Sequence, residues 1–349
     1  MTSVPITQRV QLESSRHLAP AFTLIFLAPF IAEVLRGATR VSYFFVFVPE
    51  MMVWGCGALI IRELVRRWGG GWTSILLLGL ALAVAEECVV QQTSLAPLPW
   101  PALSAGYGRR YGVNWIYFLY MLGYESVWVV AVPIQVTELV FPRQREVQWL
   151  SNGGMITSAV VFMLGARAAW YGWIKIARPE KFHAPDYYVP WWLMVVALVV
   201  IALLMVASFA ARDVGRRDST TRMAPPWWAM VVAAMVFGFP WEWLMALIFG
   251  VRSTQPFWVS MALGVAWAGF AYLFIRYWSV GRGWSDLHRW GVTFGAVLVC
   301  MVAGFAGSGT WPVMDLVGKW VFDAAAVVGF AVLLWEIWQR RASGDDLEV

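Results

Sequence analysis

Charged residues are scarce in this 349-residue chain, at 13% of the sequence, while 60% of its residues are hydrophobic. Soluble globular domains carry roughly 25% charged residues, so this composition excludes an ordinary soluble domain. The mean hydropathy is +0.64, and many of the 24 tryptophans lie at the ends of apolar segments. Because tryptophan collects at membrane–water interfaces, the sequence predicts a polytopic membrane protein.

Cysteine and histidine are also few, with three of each. The scattered cysteines Cys56, Cys88 and Cys300 all lie in apolar segments, which indicates small buried side chains rather than a disulfide framework or a metal site. The histidines lie in loops or at the ends of apolar segments, so retinal-type or haem chemistry is not expected. The chain has no HExxH, GxSxG, phosphate-loop or GxGxxG motif, and no basic patch typical of nucleic-acid binding. We therefore expect no cofactor, no bound metal and no nucleic-acid partner.

Apolar runs of about 20 residues are long enough to cross a bilayer as helices. Ten such runs predict an all-α transmembrane helix bundle of about ten spans, at 18–36, 41–64, 73–95, 113–140, 151–177, 190–211, 226–249, 256–278, 289–309 and 313–338. We predict a single transmembrane domain over 18–339, between cytoplasmic tails at 1–17 and 340–349.

The basic residues predict the orientation of these spans. Sixteen of the 26 lysines and arginines lie on the side that both termini share, nine lie on the other side, and Arg167 lies within a span. Because positive residues favour cytoplasmic loops, we predict that both termini are cytoplasmic and that the loops at 96–112 and 178–189 are outside. The expected location is the plasma membrane of a bacterium.

Several charged residues lie deep within the predicted spans, where a charge costs about 2.5–3.5 kcal/mol unless it is paired or reaches water. At 1.5 Å per residue, they fall in one layer in the outer half of the bilayer, which favours a shared polar cavity. The alternative is that they only join helices through hydrogen bonds. The residues are Glu50, Glu86, Glu87, Glu125, Arg167, Glu242 and Asp323.

The two adjacent glutamates, Glu86 and Glu87, point about 100° apart on an α-helix. The same geometry places Gln91 and Ser94 on the face of Glu87. We therefore expect Glu87 to line the cavity with these residues and Glu86 to reach a neighbouring helix. Arg167 is the predicted partner of one of the acids.

The stretch Glu86-Glu87-Cys-Val-Val-Gln91 resembles the Glu-Glu-x-x-x-Arg motif of the CAAX-protease and bacteriocin-processing family of intramembrane glutamate proteases. The stretch 128–133, WVVAVP, resembles a second motif of that family but has Val132 where the family has a histidine. The resemblance covers residues 73–140 and implies catalytic roles for Glu86 and Glu87. Gln91 replaces the family's arginine and the histidines are missing, which implies a relative without proteolytic activity.

Three hypotheses for function remain open at this point. In the first, the polar chamber binds a peptide or a lipid-like ligand without hydrolysis. In the second, the protein is a secondary transporter coupled to protons or a cation, and in the third it is a structural assembly partner. In the first two, Glu86 and Glu87 would be the central residues. The candidate ligand-binding residues are Gln91, Arg167, Glu50, Glu125, Glu242 and Asp323, and membrane lipid is the expected surrounding partner.

Overall fold

The structure, a computed structural model, describes residues 6–99, 107–214, 221–248 and 254–343. Over these residues the chain is helical apart from its connections and one short hairpin, β1 (Arg109–Arg110) with β2 (Val113–Asn114). Helix α1 runs over Ile6–Pro29 and continues as a π-helix over Phe30–Val34. The helices that follow are α2 (Val41–Arg67), α3 (Trp72–Val90), α4 (Trp115–Val140), α5 (Asn152–Lys181), α6 (Trp191–Asp213), α7 (Trp227–Ile248), α8 (Phe257–Ser279), α9 (Asp286–Ala303) and α10 (Val313–Ala342).

The all-α prediction is confirmed, and the helices correspond to the predicted spans. Within the described ranges, nine helices, α2–α10, are long and apolar enough to cross a membrane, and α1 contains the shorter apolar stretch Leu18–Val34. The chain is therefore a multi-pass membrane protein. Helix α1 begins at Ile6 and α10 ends at Ala342. The predicted tails at 1–17 and 340–349, the count of ten spans and the cytoplasmic termini remain predictions.

The helices divide into an inner and an outer group. Between 56% and 67% of the residues in the apolar stretches of α2, α3, α4 and α9 are buried, against 11% to 22% for α5, α6, α8 and α10. Helix α3 packs between α4 and α6, while α9 packs along α7. The exposed residues of α8 and α10 are mostly large apolar side chains. Since a membrane would solvate these faces, the outer helices need no further protein cover.

Within the described ranges, five segments are π-helices. They lie at Phe30–Val34, Met51–Gly55, Ala85–Val90, Glu125–Ala131 and Tyr171–Lys181. π-Helical turns are rare and are frequent at functional sites. Four of the five lie in α1–α4, whose contacts form the interior of the bundle.

A glycine brings α3 and α4 close together next to two of these segments. A Cβ atom built on Gly79 would lie 2.9 Å from the Cα atom of Ser126, which is closer than real Cβ atoms approach backbone. The absence of a side chain at Gly79 therefore sets the separation of the two helices. Ser126 directly follows Glu125, and Gly79 lies two turns before Glu86 on the same face of α3.

Helix α3 ends in a loop that the hairpin holds in place. Gln92 has a φ of 59°, which takes the chain out of the helix earlier than the predicted end at residue 95. Asn114 then donates hydrogen bonds from Nδ2 to the carbonyls of Thr93 and Ala96, at 2.9 and 2.7 Å. These bonds tie the loop to the start of α4.

At the opposite end of the bundle, Arg62 fastens the α4–α5 connection to α2. Its side chain is fully buried and donates to the carbonyls of Gln144, Arg145 and Val147 at 2.6–3.1 Å. It also pairs with Glu63 at 2.7 Å. Glu63 accepts the backbone N–H groups of two further loop residues. This buried network orders the loop, because each buried charge has several hydrogen-bond partners.

Candidate functional site

Five glutamates from four helices meet in the interior, and we call them the glutamate cluster. They are Glu33 of α1, Glu50 of α2, Glu86 and Glu87 of α3, and Glu125 of α4. Glu86, Glu87 and Glu125 are each only 1% exposed. Glu125 interacts electrostatically with Glu86, Glu87 and Glu33, and Glu33 interacts with Glu50 and Glu86. Glu86, Glu87 and Glu125 therefore influence one another in the interior, and Glu50 is linked to them through Glu33. That these acids form a functional site stays a prediction.

Every member of the glutamate cluster lies in or beside a π-helix. Glu33 lies within Phe30–Val34, and Glu50 directly precedes Met51–Gly55. The pair on α3 lies within Ala85–Val90, and Glu125 begins Glu125–Ala131. A π-turn leaves backbone groups in less regular geometry, and non-α backbone at membrane depth is tolerated where it is buried in protein or lines a cavity. The backbone irregularities and the acids thus mark the same place.

The π-helix changes which residue lies next to each glutamate of α3. The backbone N–H of Gln91 donates to the carbonyl of Glu86, five residues earlier, at 2.7 Å. Gln91 consequently lies over Glu86, and its Nε2 donates to Glu86 Oε1 at 3.1 Å. The prediction that Gln91 shares the face of Glu87 is wrong, because it assumed uninterrupted α-helical spacing.

Glu87 makes the contact between helices that we expected of Glu86. Its Oε2 accepts from the Ser94 hydroxyl at 2.8 Å, as the predicted face required, and its Oε1 accepts from the Tyr117 hydroxyl of α4 at 3.4 Å. Glu86 instead bonds to Gln91, the residue directly after α3. The contact of Glu87 with Ser94 is as predicted, whereas the hydrogen bond to a neighbouring helix belongs to Glu87 and not to Glu86.

Glu125 has no hydrogen-bond partner for either carboxylate oxygen among the described residues. One oxygen of Glu86 and one of Glu50 are likewise unpartnered. The other Glu50 oxygen accepts from the Thr39 hydroxyl. Burying a polar group without a hydrogen bond is costly, and burying an unpaired charge costs far more. The cluster therefore requires protons, water or a cation at these oxygens.

The basic residue that interacts with a member of the cluster is Arg36 rather than the predicted Arg167. Arg36 pairs with Glu242 at 2.8 Å, donates to the Tyr120 hydroxyl at 3.3 Å, and interacts electrostatically with Glu33. Arg167 is exposed on α5 and lies 4.6 Å from the centroid of the Trp170 ring. The prediction that Arg167 pairs with a buried acid is wrong, because its position around the helix axis turns the side chain outward.

Glu242 and Asp323, which were predicted in the same polar layer, have partners of their own. Glu242 lies in the pair with Arg36 and accepts from Tyr120. Asp323 pairs with Lys319 within α10, and Lys319 also donates to the Met301 carbonyl at 3.0 Å. The predicted single layer thus divides into the glutamate cluster, the Arg36–Glu242 pair and the Lys319–Asp323 pair.

Histidine takes no part in the cluster where the structure describes its side chain. His288 bonds to Ser285 and to the Pro225 carbonyl at the start of α9, and His183 lies in the α5–α6 connection. Among the described residues, no group of three or more acids, histidines and cysteines has the spacing of a metal site. The chemistry available in the cluster is that of closely spaced carboxyl groups.

Sequence reasoning missed Glu33 and the role of Arg36. The sequence contained a signal for each residue, since Glu33 is an acid inside a predicted span and Arg36 follows it by three residues.

No protein-family model, curated protein or solved structure matches the chain.

Proposed function

We propose that the protein is a membrane carrier in which the glutamate cluster binds protons and exchanges them for a small cation. The observation that carries the proposal is Glu125, a buried carboxyl group that has no hydrogen-bond donor among the described residues and interacts electrostatically with Glu86 and Glu87. Intramembrane acids of this kind are typical of proton and ion pathways. Interrupted helices at a central site are also typical of secondary transporters. In this chain the interruptions are the π-helices at the acids.

The placement of the acids favours exchange over a purely structural role. Helix-joining acids have their oxygens bonded to a neighbouring helix, as Glu242 has with Arg36 and Tyr120. Glu125 lacks such bonds within the described part of the chain. Since close carboxylates cannot all be ionised in a poor dielectric, the cluster holds protons when no cation is present, and a cation would release them.

Infrared difference spectroscopy of the purified protein tests this proposal directly, because a protonated carboxyl group has a C=O band that a carboxylate lacks. We expect the wild-type protein to lose such bands when the pH is raised or when sodium or potassium is added. Glu125→Gln should remove part of the signal. Glu146→Gln is the matched control, because Glu146 is a glutamate with a 71% exposed side chain.

Proton release into weakly buffered detergent solution upon addition of the same salts is the second readout. Release from the wild type and Glu146→Gln, and reduced release from Glu125→Gln, support exchange. Bands that respond to neither pH nor cations would contradict the proposal and leave the acids as fixed structural groups.

A second candidate follows from the contact between Gln91 and Glu86. In the resemblance to intramembrane glutamate proteases, an arginine occupies the position of Gln91, and the π-turn brings this position directly to Glu86. Under this alternative, the chamber binds a peptide or lipid-like ligand, with Glu86 and Glu87 at its centre and no hydrolysis. Enrichment of a peptide or lipid with the wild type, and not with Glu86→Gln, would favour it over cation exchange.

A further inference from the structure

A buried arginine at the hairpin end of the bundle has an unused donor. Arg178 of α5 is 3% exposed. Its Nη2 donates to the Pro97 carbonyl at 3.0 Å, while its Nη1 has no partner among the described residues. A guanidinium is always charged, so this buried group requires an acceptor that the described chain does not supply.

A second guanidinium lies close to the first and strengthens that requirement. Arg109 donates to the carbonyls of Leu95 and Ala96, at 3.0 Å each, and to Asn114 Oδ1 at 2.7 Å. It interacts electrostatically with Arg178 as a like charge. Both arginines bind the loop that follows α3 through neutral acceptors, so their repulsion is not offset by those bonds. An anion between or beside them would offset it.

Arg178 lines a small cavity. Its other walls come from the loop after α3, from α5 and from the α5–α6 connection, and they include Ala96, Lys175, Ala184 and Tyr187. Lys175 adds a third positive charge and Asp186 a negative one, and both of these side chains are exposed. The enclosed space holds about one water-sized group. It therefore suits a single anionic oxygen better than a bulky ligand.

The backbone beside the cavity is irregular in the same way as at the glutamate cluster. Arg178 lies in the π-helix Tyr171–Lys181, and His183 has a φ of 49°, in the left-handed region. The Ala184 N–H donates to the Arg178 carbonyl at 2.9 Å, which folds the connection back over the arginine. Strained conformations of this kind persist where the surrounding structure holds them and often occur at ligand sites.

We propose that one oxygen of a phosphate group enters this cavity and accepts a hydrogen bond from Arg178, with Arg109 and Lys175 as supporting charges. Arginine forms strong charge-assisted hydrogen bonds with phosphate, and basic pockets between transmembrane helices bind lipid headgroups. Arg178 lies near the end of α5, and Trp191 and Trp192 begin the next helix, which places the cavity at headgroup depth. The phosphate belongs to a lipid headgroup or is free in solution. This site is independent of the cation exchange proposed above.

Two measurements on the full-length protein distinguish these sources. In delipidated detergent solution, free phosphate is titrated at constant ionic strength against gluconate while thermal unfolding is followed. In native mass spectrometry, retention of phosphatidylglycerol is compared between variants. The variants are Arg178→Gln, Arg178→Lys and Lys175→Gln, with Arg110→Gln as the matched control, because Arg110 is an exposed arginine on the same hairpin.

We expect the wild type and Arg110→Gln to be stabilised by phosphate or to retain phosphatidylglycerol. Arg178→Gln should weaken that binding by about tenfold or more, the loss of one hydrogen bond to a charged group. Stabilisation by phosphate alone identifies the free anion, and lipid retention alone identifies the headgroup. Two variants cover the case in which Arg178→Gln fails to fold. Arg178→Lys keeps the positive charge, and Lys175→Gln keeps the hydrogen bond from Arg178 to Pro97. Weaker phosphate or lipid binding in either variant supports the site. Binding that is absent, or equal in all variants, would overturn the proposal and leave the cavity to water.

Discussion

At the scale of single residues, the charged side chains in the interior differ in how completely they are bonded. Arg62 has charged and carbonyl partners around its whole guanidinium, and Arg36 has Glu242 and Tyr120. Glu125 has neither a donor nor a basic neighbour within hydrogen-bond reach in the described part of the chain. Fully bonded charges stabilise an arrangement, whereas an unbonded one is available for binding. This difference separates the structural charges from the candidate functional ones.

Arg36→Gln should destabilise the protein, because it leaves Glu242 as a buried charge without its partner. Both side chains are nearly buried, at 12% and 13% exposure, and breaking a buried pair from one side costs about 3–5 kcal/mol. Chemical unfolding in detergent measures the change. The double variant with Glu242→Gln should lose less than the sum of the two single losses.

Arg167→Gln is the control for that experiment. Its guanidinium is exposed and contacts the Trp170 ring, a contact whose loss costs about 0.5–1 kcal/mol. Equal losses in Arg36→Gln and Arg167→Gln would contradict the assignment of Arg36 as the interior base.

At the scale of helices, close packing and π-turns together position the glutamate cluster. The close approach of α3 to α4 at Gly79 places that glycine beside Ser126, the neighbour of Glu125, while Glu87 contacts Tyr117 about two turns away on α4. The π-turn then directs Gln91 to Glu86. A regular α-helix would carry Gln91 to the face of Glu87. The chemistry of the site thus depends on helix geometry as well as on residue type.

Gly79→Ala should push α3 and α4 apart, since its Cβ would lie 2.9 Å from a backbone atom of Ser126 that cannot rotate away. Overpacking of this kind costs about 1–3 kcal/mol. Gly269→Ala on α8 is the matched control, because its Cβ meets nothing within 4 Å and alanine favours the helix by about 1 kcal/mol. Thermal unfolding of both variants measures the change in stability. A Gly79→Ala protein that is as stable as the wild type, with unchanged carboxyl C=O bands in the infrared spectrum, would contradict a role for Gly79 in setting the helix separation.

Arg62→Met should detach the α4–α5 connection from α2. The substitution leaves Glu63 buried without its partner, which predicts a loss of about 3–5 kcal/mol and faster protease cleavage between residues 141 and 151. Arg212→Met serves as the control, because Arg212 forms an exposed pair with Asp213 at 3.8 Å and lies 4.4 Å from the centroid of the Phe209 ring. Exposed contacts of these kinds contribute about 0–1 kcal/mol each. If cleavage rates are unchanged in Arg62→Met, the network does not order the loop.

At the scale of the whole molecule, α1–α4 carry the glutamate cluster, and the exposed apolar faces of the outer helices suit contact with lipid. The Arg62 network and the Arg178 cavity lie at opposite ends of the bundle, since α5 starts beside the first and ends beside the second. We predict that the Arg62 end is cytoplasmic, in agreement with the excess of basic residues on that side. Of the two loops predicted to be outside, 178–189 is described, and part of 96–112, including Ser104, lies outside the described residues.

Cysteine labelling in intact cells tests this orientation. Tyr188→Cys, at an 80% exposed position in the α5–α6 connection, should react with a membrane-impermeant thiol reagent. Gln148→Cys, exposed at the opposite end, should react only after the membrane is permeabilised. The native cysteines are all buried and should contribute little background. Reaction of Gln148→Cys before permeabilisation would invert the topology.

The helices follow from sequence alone because the length and apolarity of a span are local properties. The predicted spans at 151–177, 226–249 and 256–278 match α5, α7 and α8 to within a few residues. The presence of buried acids was also predictable, since Glu86, Glu87 and Glu125 lie inside apolar runs. Only the tertiary structure decided which charges meet. Arg167 faces outward while Arg36 folds back beside Glu33, and Gln91 reaches Glu86 across a π-turn. The direction of a side chain depends on the cumulative rotation of its helix and on the neighbour it packs against, and a single inserted π-turn changes both.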